Sequence, residues 1–114
     1  MITIYHNPRC TKSREGLSFV ENLNEEIVIR KYLDEPFTKA ELKDVLKKLN
    51  YKPIDLVRTK EKEWTENYKG KELSDEELID VLLEHPKLIE RPIVVKENKA
   101  VVARPKELID KILK

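Results

Sequence analysis

The sequence predicts an α/β fold, a four-stranded mixed sheet flanked by helices and carrying a helical insertion. Three observations point to this architecture. Two short apolar runs near the N-terminus bracket a stretch whose apolar residues recur at helical spacing. Two capping boxes in the middle of the chain each precede an apolar helical stripe. Near the C-terminus, two apolar runs are separated by a short polar turn, which is the pattern of a β-hairpin.

The N-terminal part of the chain predicts a strand–helix–strand unit. Residues 1–5 and 27–29 are the strands, and Leu17, Val20 and Leu23 form the apolar face of the helix between them. A crossover of this kind is right-handed and makes its two strands parallel.

Two further helices are predicted by their start signals. Thr38 and Glu41 form one capping box, and Ser74 and Glu77 form the other, whose helix ends before Pro86. The apolar stripes that follow are Leu42, Val45, Leu46 and Leu49 in the first helix, and Leu78, Ile79, Leu82 and Leu83 in the second.

The remaining segments complete the order of elements. Residues 53–68 predict irregular or short helical structure, and we expect a helical insertion over roughly residues 50–90. The two C-terminal apolar runs form a hairpin around residues 96–99. Pro105 suits the first position of a closing helix, where a missing N–H costs nothing.

Length and composition exclude several classes of protein. The 114 residues are enough for a single domain, residues 1–114, whose hydrophobic core needs no support from disulfide bonds or metal ions. Hydrophobic and charged residues each make up 39%, with a net charge of +1, so there is no global bias toward nucleic acid or membrane. We expect no signal peptide and no membrane span. One cysteine and two histidines, without ligand spacing, argue against a metal site and suit the reducing cytoplasm.

The single cysteine, Cys10, lies where the first strand gives way to the first helix, four residues after His6 and four before Arg14. A lone cysteine is often a small buried hydrophobe. At this position, however, unpaired backbone N–H groups, the helix dipole and Arg14 all favour the thiolate, so we favour a reactive thiol. His6 is either a turn histidine or a group that helps to ionise Cys10. Arg14 is either a solvated charge or a clamp for an oxyanion.

Three other arginines could contribute to a functional site around this thiol. Arg91 and Arg104 each precede a proline at the two ends of the hairpin, and Arg58 lies in the irregular middle segment. Each of them alone is more commonly a surface charge. Pro92, just before an apolar strand, could form a cis bond that shapes a site or a plain trans bond at a strand start.

Short motifs spread along the whole chain are shared with a known family. They are Ile4-Tyr5-His6-Asn7-Pro8-x-Cys10 with Ser13-Arg14, Tyr32-Leu33, Leu56-Val57-Arg58, Leu78-Ile79-Asp80 with His85-Pro86, Arg91-Pro92-Ile93-Val94-Val95, and Arg104-Pro105. With these motifs the sequence resembles the glutaredoxin-coupled arsenate reductases. The resemblance implies a thioredoxin-like fold for the sheet and helices described above.

The resemblance also implies a role for each candidate residue. Cys10 would be the catalytic nucleophile, with His6 and Arg14 as its activating and anchoring neighbours. A cluster of basic residues would bind the oxyanion and stabilise its adduct with sulfur, and Pro92 would be a cis proline facing the active site. The members of that cluster would be Arg58, Arg91 and Arg104.

The activity implied is the reduction of arsenate to arsenite. It would use glutathione as cosubstrate and glutaredoxin as partner, with no bound cofactor and no metal. The resemblance further suggests a cytoplasmic monomer that binds neither nucleic acid nor membrane.

Two alternatives stay open. The first is a redox-sensing or protein-binding module like the Spx-type regulators of RNA polymerase, without arsenate turnover. Those regulators typically carry Cys-x-x-Cys, whereas Ser13 occupies the second position in this chain and excludes an internal thiol switch. The second alternative is a glutathione-dependent thiol transferase that acts on small disulfides. It would need the Cys10 thiolate but not the arginines.

Overall fold

The computed structural model describes residues 1–113 and confirms the predicted order of strands and helices. The strands are β1 (Ile2–Tyr5), β2 (Ile27–Arg30), β3 (Ile93–Lys96) and β4 (Lys99–Val102). The α-helices are α1 (Thr11–Glu21), α2 (Lys39–Leu49), α3 (Lys62–Asn67) and α4 (Asp75–Glu84). Segments of 3₁₀ helix cover Pro53–Leu56, Pro86–Leu88 and Lys106–Ile112. Within residues 1–113, no helix has the length and apolar character needed to cross a membrane.

The chain divides into two compact units, the first of which holds the sheet. This unit comprises Met1–Glu35 together with the chain from Arg91 onward. Its strand order is β2-β1-β3-β4, with β1 parallel to β2 and both other pairs antiparallel. The sheet is therefore mixed, as predicted, and the β1-α1-β2 crossover joins parallel strands.

The core of the first unit lies where α1 and the closing helix cover the sheet. Its buried residues come from β1, α1, β3 and the C-terminal segment, and they are Ile2, Ile4, Val20, Val94, Ala103, Ile109 and Ile112. Burial of these side chains supplies the main driving force for this unit, because apolar surface removed from water stabilises the fold in proportion to its area.

The closing helix differs in type from the expectation. Residues Lys106–Ile112 form a 3₁₀ helix, and Pro105 lies just before it as the N-terminal cap rather than as its first residue. Ile109 and Ile112 are buried, whereas Leu108 is only half-buried. Because a 3₁₀ helix has three residues per turn, it places these two isoleucines one above the other against the sheet.

The second unit, Pro36–Glu90, is helical. Both predicted capping boxes are present. The Glu41 N–H donates to the Thr38 side chain and the Thr38 N–H to the Glu41 carboxylate, and Ser74 and Glu77 repeat the pattern. The predicted insertion of roughly residues 50–90 lies inside this unit, which also contains α2. The assignment of residues 1–114 to a single domain stays a prediction.

Candidate active site

Cys10 lies at the junction between β1 and α1, as its sequence position predicts. It caps the N-terminus of α1 with an extended backbone, φ −97° and ψ 124°. Its N–H donates to the Asn7 carbonyl at 3.0 Å, and its carbonyl accepts from the Arg14 N–H at 3.0 Å. The thiol is free and half-buried. A turn therefore holds the sulfur at the end of the helix where backbone N–H groups lack helical partners.

The surroundings of Cys10 favour its thiolate. Burial raises the pKa of the Cys10 thiol. A hydrogen bond from the Arg91 guanidinium, the N–H of Ser13, the Arg91 charge and the N–H of Lys12 together lower it by more than burial raises it. The net shift is downward. A thiolate is the nucleophilic form of cysteine, so this site increases the reactive fraction near neutral pH.

The Ser13 side chain holds the loop that precedes Cys10 by contacts with two of its residues. This side chain is fully buried, and its Oγ accepts from the Asn7 N–H at 2.9 Å and lies 2.8 Å from His6 Nδ1. His6 is itself 4% exposed. Burial lowers the pKa of His6, the charges of Lys31 and Arg14 lower it further, and a hydrogen bond with the Ser13 backbone opposes them. The imidazole is therefore mostly neutral near pH 7, and its role beside Cys10 stays a prediction.

Arg14 also braces this loop. Its guanidinium is exposed and donates to the Pro8 carbonyl at 3.0 Å and to Thr11 Oγ1 at 3.1 Å. The Arg9 N–H donates to Asn7 Oδ1 at 3.0 Å. Both ends of the loop are thus tied to side chains, so the geometry around Cys10 is fixed before any substrate binds.

Of the three predicted arginines, one interacts with Cys10 and a second contacts the backbone of the first. Arg91 is half-buried and donates to the Cys10 sulfur. Arg104 is exposed, and its Nη1 lies 3.4 Å from the Arg91 carbonyl. The Arg91–Pro92 peptide bond is cis, as predicted, and so is the bond between Arg104 and the following proline, which was not predicted. The two ends of the hairpin thus lie side by side, and the place of Arg104 in the oxyanion-binding cluster stays a prediction.

Arg58 belongs to the second compact unit. Its Nη1 lies 3.0 Å from Glu61 and its Nε 3.8 Å from Glu90. Its N–H donates to the Leu88 carbonyl at 2.7 Å. Its membership of the oxyanion-binding cluster stays a prediction.

Gly16 brings α1 close to Pro92. A Cβ at Gly16 would lie 2.7 Å from the Cγ of Pro92 and 3.9 Å from the Cβ of Ala103. Only a residue without a side chain allows this approach, which sets the distance between the helix that begins at Cys10 and the strand that follows Arg91.

The sequence analysis missed the contacts of Ser13 with the loop and missed a cavity beside the loop. The motif Cys-x-x-Ser carried a signal for the first, because a residue three positions after a helix cap faces back toward the preceding loop. The cavity has a volume of about 280 Å³, and no periodic pattern in the sequence predicts it because its walls come from two separate turns.

Within residues 1–113 no group of three or more His, Cys, Asp or Glu side chains could hold a metal ion.

Several known proteins are similar to this chain over nearly its whole length. An arsenate reductase of Haemophilus influenzae is 40% identical to it, over 98% of each chain. An arsenate reductase of Neisseria meningitidis serogroup A is also 40% identical, over 98% of this chain and 97% of its own. The solved structure of an arsenate reductase from Vibrio cholerae is 41% identical and superposes with a TM-score of 0.92, covering 98% of this chain and 97% of that one.

The fold predicted from the sequence is confirmed by these structures, since the mixed four-stranded sheet with flanking helices is the thioredoxin-like arrangement that they share. The model of the ArsC family matches residues 5–112, almost the whole chain. A cysteine at the N-cap position of a helix, a cis proline and two arginines at the ends of a hairpin thus lie within the matched region. The chain belongs to the ArsC family.

Proposed function

We propose that this protein reduces arsenate to arsenite, with Cys10 as the nucleophile. The observation that carries the proposal is the contact between the Arg91 guanidinium and the Cys10 sulfur at the N-terminus of α1. A thiolate held next to a guanidinium is placed to attack an anion that the same guanidinium binds. The relatives named arsenate reductases, similar over nearly their whole length, support arsenate as that anion.

Arginine suits the binding step. The planar fork of a guanidinium donates two parallel hydrogen bonds to an oxyanion, and its charge offsets the negative charge of arsenate. Arg91 and Arg104 are the residues of the first unit proposed for this role, and Arg58 is proposed as the third member of the cluster. Without these cations an anionic thiolate and an anionic substrate would repel each other.

The first chemical step is an exchange of ligands at arsenic. The Cys10 thiolate forms a sulfur–arsenic bond, and one arsenate oxygen leaves as water after protonation. Arsenic stays pentavalent in this adduct. The arginines stabilise the charge that builds on the remaining oxygens as the bond forms.

Thiols from outside the chain complete the reduction. Glutathione adds to arsenic and displaces a second oxygen as water. The thiolate of glutaredoxin then attacks the glutathione sulfur to form a mixed disulfide, and the electron pair of the broken sulfur–arsenic bond reduces arsenic to the trivalent state. Water cleaves the remaining bond to Cys10, which releases arsenite and restores the thiol. The chain holds one cysteine, and Ser13 stands where a resolving thiol would act, so both reducing thiols come from other molecules.

The same chemistry suits a monomer in the reducing cytoplasm that carries no bound cofactor. A free, half-buried thiol with a lowered pKa stays reduced where glutathione is abundant.

The test is a coupled assay that follows NADPH oxidation with arsenate, glutathione, glutaredoxin and glutathione reductase. Cys10→Ser removes the nucleophile at nearly constant volume, and we expect turnover to fall to background. Lys111→Gln, which removes an exposed charge on the closing helix, serves as the control and should behave as the wild type. Full activity in Cys10→Ser, or turnover with thioredoxin alone, would contradict the mechanism.

A second assay separates this function from thiol transfer to small disulfides. Arg104→Ala removes a predicted arsenate contact and keeps the Arg91 guanidinium and the backbone N–H groups that lower the pKa of Cys10. We expect it to impair arsenate reduction and to spare the reduction of hydroxyethyl disulfide. Equal losses in both assays would favour a general role of Arg104 in thiol chemistry.

A further inference from the structure

A cavity of about 280 Å³ lies beside the loop that carries Cys10, and no step described above uses it. One wall is the loop that directly precedes Cys10, and the other is the turn that follows β2. It is lined by Asn7, Pro8, Arg9, Lys31, Leu33 and Asp34. Sites for small molecules begin at roughly 300 Å³, so this cavity suits a small ligand or part of a somewhat larger one.

The charged side chains of this cavity are available to a ligand. Arg9, Lys31 and Asp34 are exposed, and within residues 1–113 none of their charged groups makes a hydrogen bond or an ion pair with the protein. Some exposed charges elsewhere on the surface do pair with each other, as Lys39 does with Glu76 at 3.0 Å. The cavity therefore presents two cations and one anion that have no partner in the described part of the chain.

A complementary ligand carries two carboxylates and one ammonium group. Because Arg9 directly precedes Cys10 in the chain, we expect the reactive atom of such a ligand to lie near Cys10. We propose that the cavity binds glutathione, with Arg9 and Lys31 on its two carboxylates and Asp34 on its ammonium group. This proposal rests on the proposed function, in which glutathione attacks arsenic bound to Cys10. It specifies where glutathione is bound during that attack.

The geometry assigns the two ends of the tripeptide. Lys31 and Asp34 belong to one turn, in which the Asp34 N–H donates to the Lys31 carbonyl at 3.0 Å. The γ-glutamyl end carries its carboxylate and its ammonium on a single carbon, so it fits this pair of opposite charges. Arg9 adjoins Cys10 and takes the glycyl carboxylate, which lies on the shorter arm beside the ligand's thiol.

The wall that carries Arg9 is formed before the ligand arrives. The Arg9 N–H is held by Asn7 Oδ1, and Arg14 braces the same loop through the Pro8 carbonyl. A loop already fixed in its binding conformation loses little entropy on binding, which favours a weak, small ligand.

Direct binding tests the site without any turnover. The probe is S-methylglutathione, which cannot form a disulfide, titrated calorimetrically into the full chain. We expect Arg9→Gln, Lys31→Gln and Asp34→Asn each to raise its Kd about twofold to fivefold, the range for exposed charge pairs. Lys111→Gln removes an exposed cation elsewhere and should leave the Kd unchanged. Added salt should weaken wild-type binding, because exposed charge pairs are screened.

The glycyl ethyl ester of the same probe tests the orientation. Wild type should bind the ester more weakly than the free acid by a similar factor. Arg9→Gln should bind the two equally, because the carboxylate has lost its partner, whereas Lys31→Gln should keep the difference. If Lys31→Gln instead bound the free acid and the ester equally, the assignment of the two ends would be overturned.

Kinetics separate this site from the reductase activity. The three cavity variants should raise the KM for glutathione and leave the KM for arsenate unchanged. If arsenate is reduced while none of the variants alters the binding of S-methylglutathione, the site is wrong and the reductase stands. If the probe binds and the variants weaken it while arsenate is not reduced, the site stands and the proposed function is wrong. Failure of wild type to bind the probe overturns the site.

Discussion

Replacing Gly16 by alanine tests the close packing of α1 against Pro92. The added Cβ would lie 2.7 Å from the Pro92 Cγ, whereas ordinary contact begins near 3.4 Å, so the two must separate by about 0.7 Å. The Pro92 ring is buried and anchored to the backbone ahead of β3, so it yields less than a flexible side chain would. Overpacking costs about 1 to 3 kcal/mol, and a rigid obstacle places this case in the upper part of that range.

Alanine in a helix gains about 1 kcal/mol over glycine, which offsets part of this cost. We therefore expect Gly16→Ala to lower the free energy of unfolding by about 1 to 2 kcal/mol. In a domain of this size the melting temperature should fall by roughly 4 to 8 °C. Urea and thermal unfolding followed by far-ultraviolet circular dichroism measure both quantities.

Ser18→Ala is the matched control for this experiment. Ser18 is exposed on the same helix, so alanine there gains a few tenths of a kcal/mol of helix propensity without a steric contact. The reasoning is refuted if Gly16→Ala matches or exceeds the wild type in stability, as helix propensity alone would require. A shifted Pro92 should also displace the neighbouring Arg91 and slow the alkylation of Cys10 at neutral pH.

Two further predictions concern ionisation at the site. Arg91→Gln removes the hydrogen bond and the charge that lower the pKa of Cys10, so the alkylation rate should rise at higher pH than in wild type, whereas Arg104→Gln should not move the profile. An unchanged profile in Arg91→Gln would disprove the contact. The pKa of His6 is lowered in the folded state, chiefly by burial, so its ring resonances should titrate below the unfolded value of 6.5. Because the folded state then binds fewer protons, its stability relative to a His6→Asn variant should fall as the pH drops through 6.5 toward the folded pKa of His6, and a His6 midpoint at or above 6.5 would contradict this.

Local patterns account for most of what could be predicted about the fold. A capping box, an apolar stripe or a hairpin is encoded within a few neighbouring residues, and Thr38 and Ser74 cap their helices as expected. The closing helix shows the limit of such patterns. Its apolar residues fit an α-helix as well as a 3₁₀ helix, and packing of Ile109 and Ile112 against the sheet decides between them.

The site was predictable only where its residues carry a motif. Cys10, Arg91, Arg104 and Pro92 lie in recognisable segments, and the structure brings Arg91 to the Cys10 sulfur. The burial of Ser13 depends on how the loop folds back on α1, which no period in the sequence encodes.

The same limit applies to the charges around the cavity. Lys31 and Asp34 are ordinary surface residues in the sequence. They line a cavity beside the loop after β1 only because the parallel pairing of β1 with β2 sets the ends of both strands side by side.

The lone thiol also determines how this protein is damaged. A partly exposed thiolate reacts with peroxide to give a sulfenic acid, and in this chain no second cysteine can trap that species as an internal disulfide. Further peroxide would carry Cys10 to the sulfinic acid, which ordinary thiols do not reverse. A small thiol that caps the sulfur at the sulfenic acid stage would keep this oxidation reversible, so the thiols available around the protein decide whether Cys10 is recovered or lost.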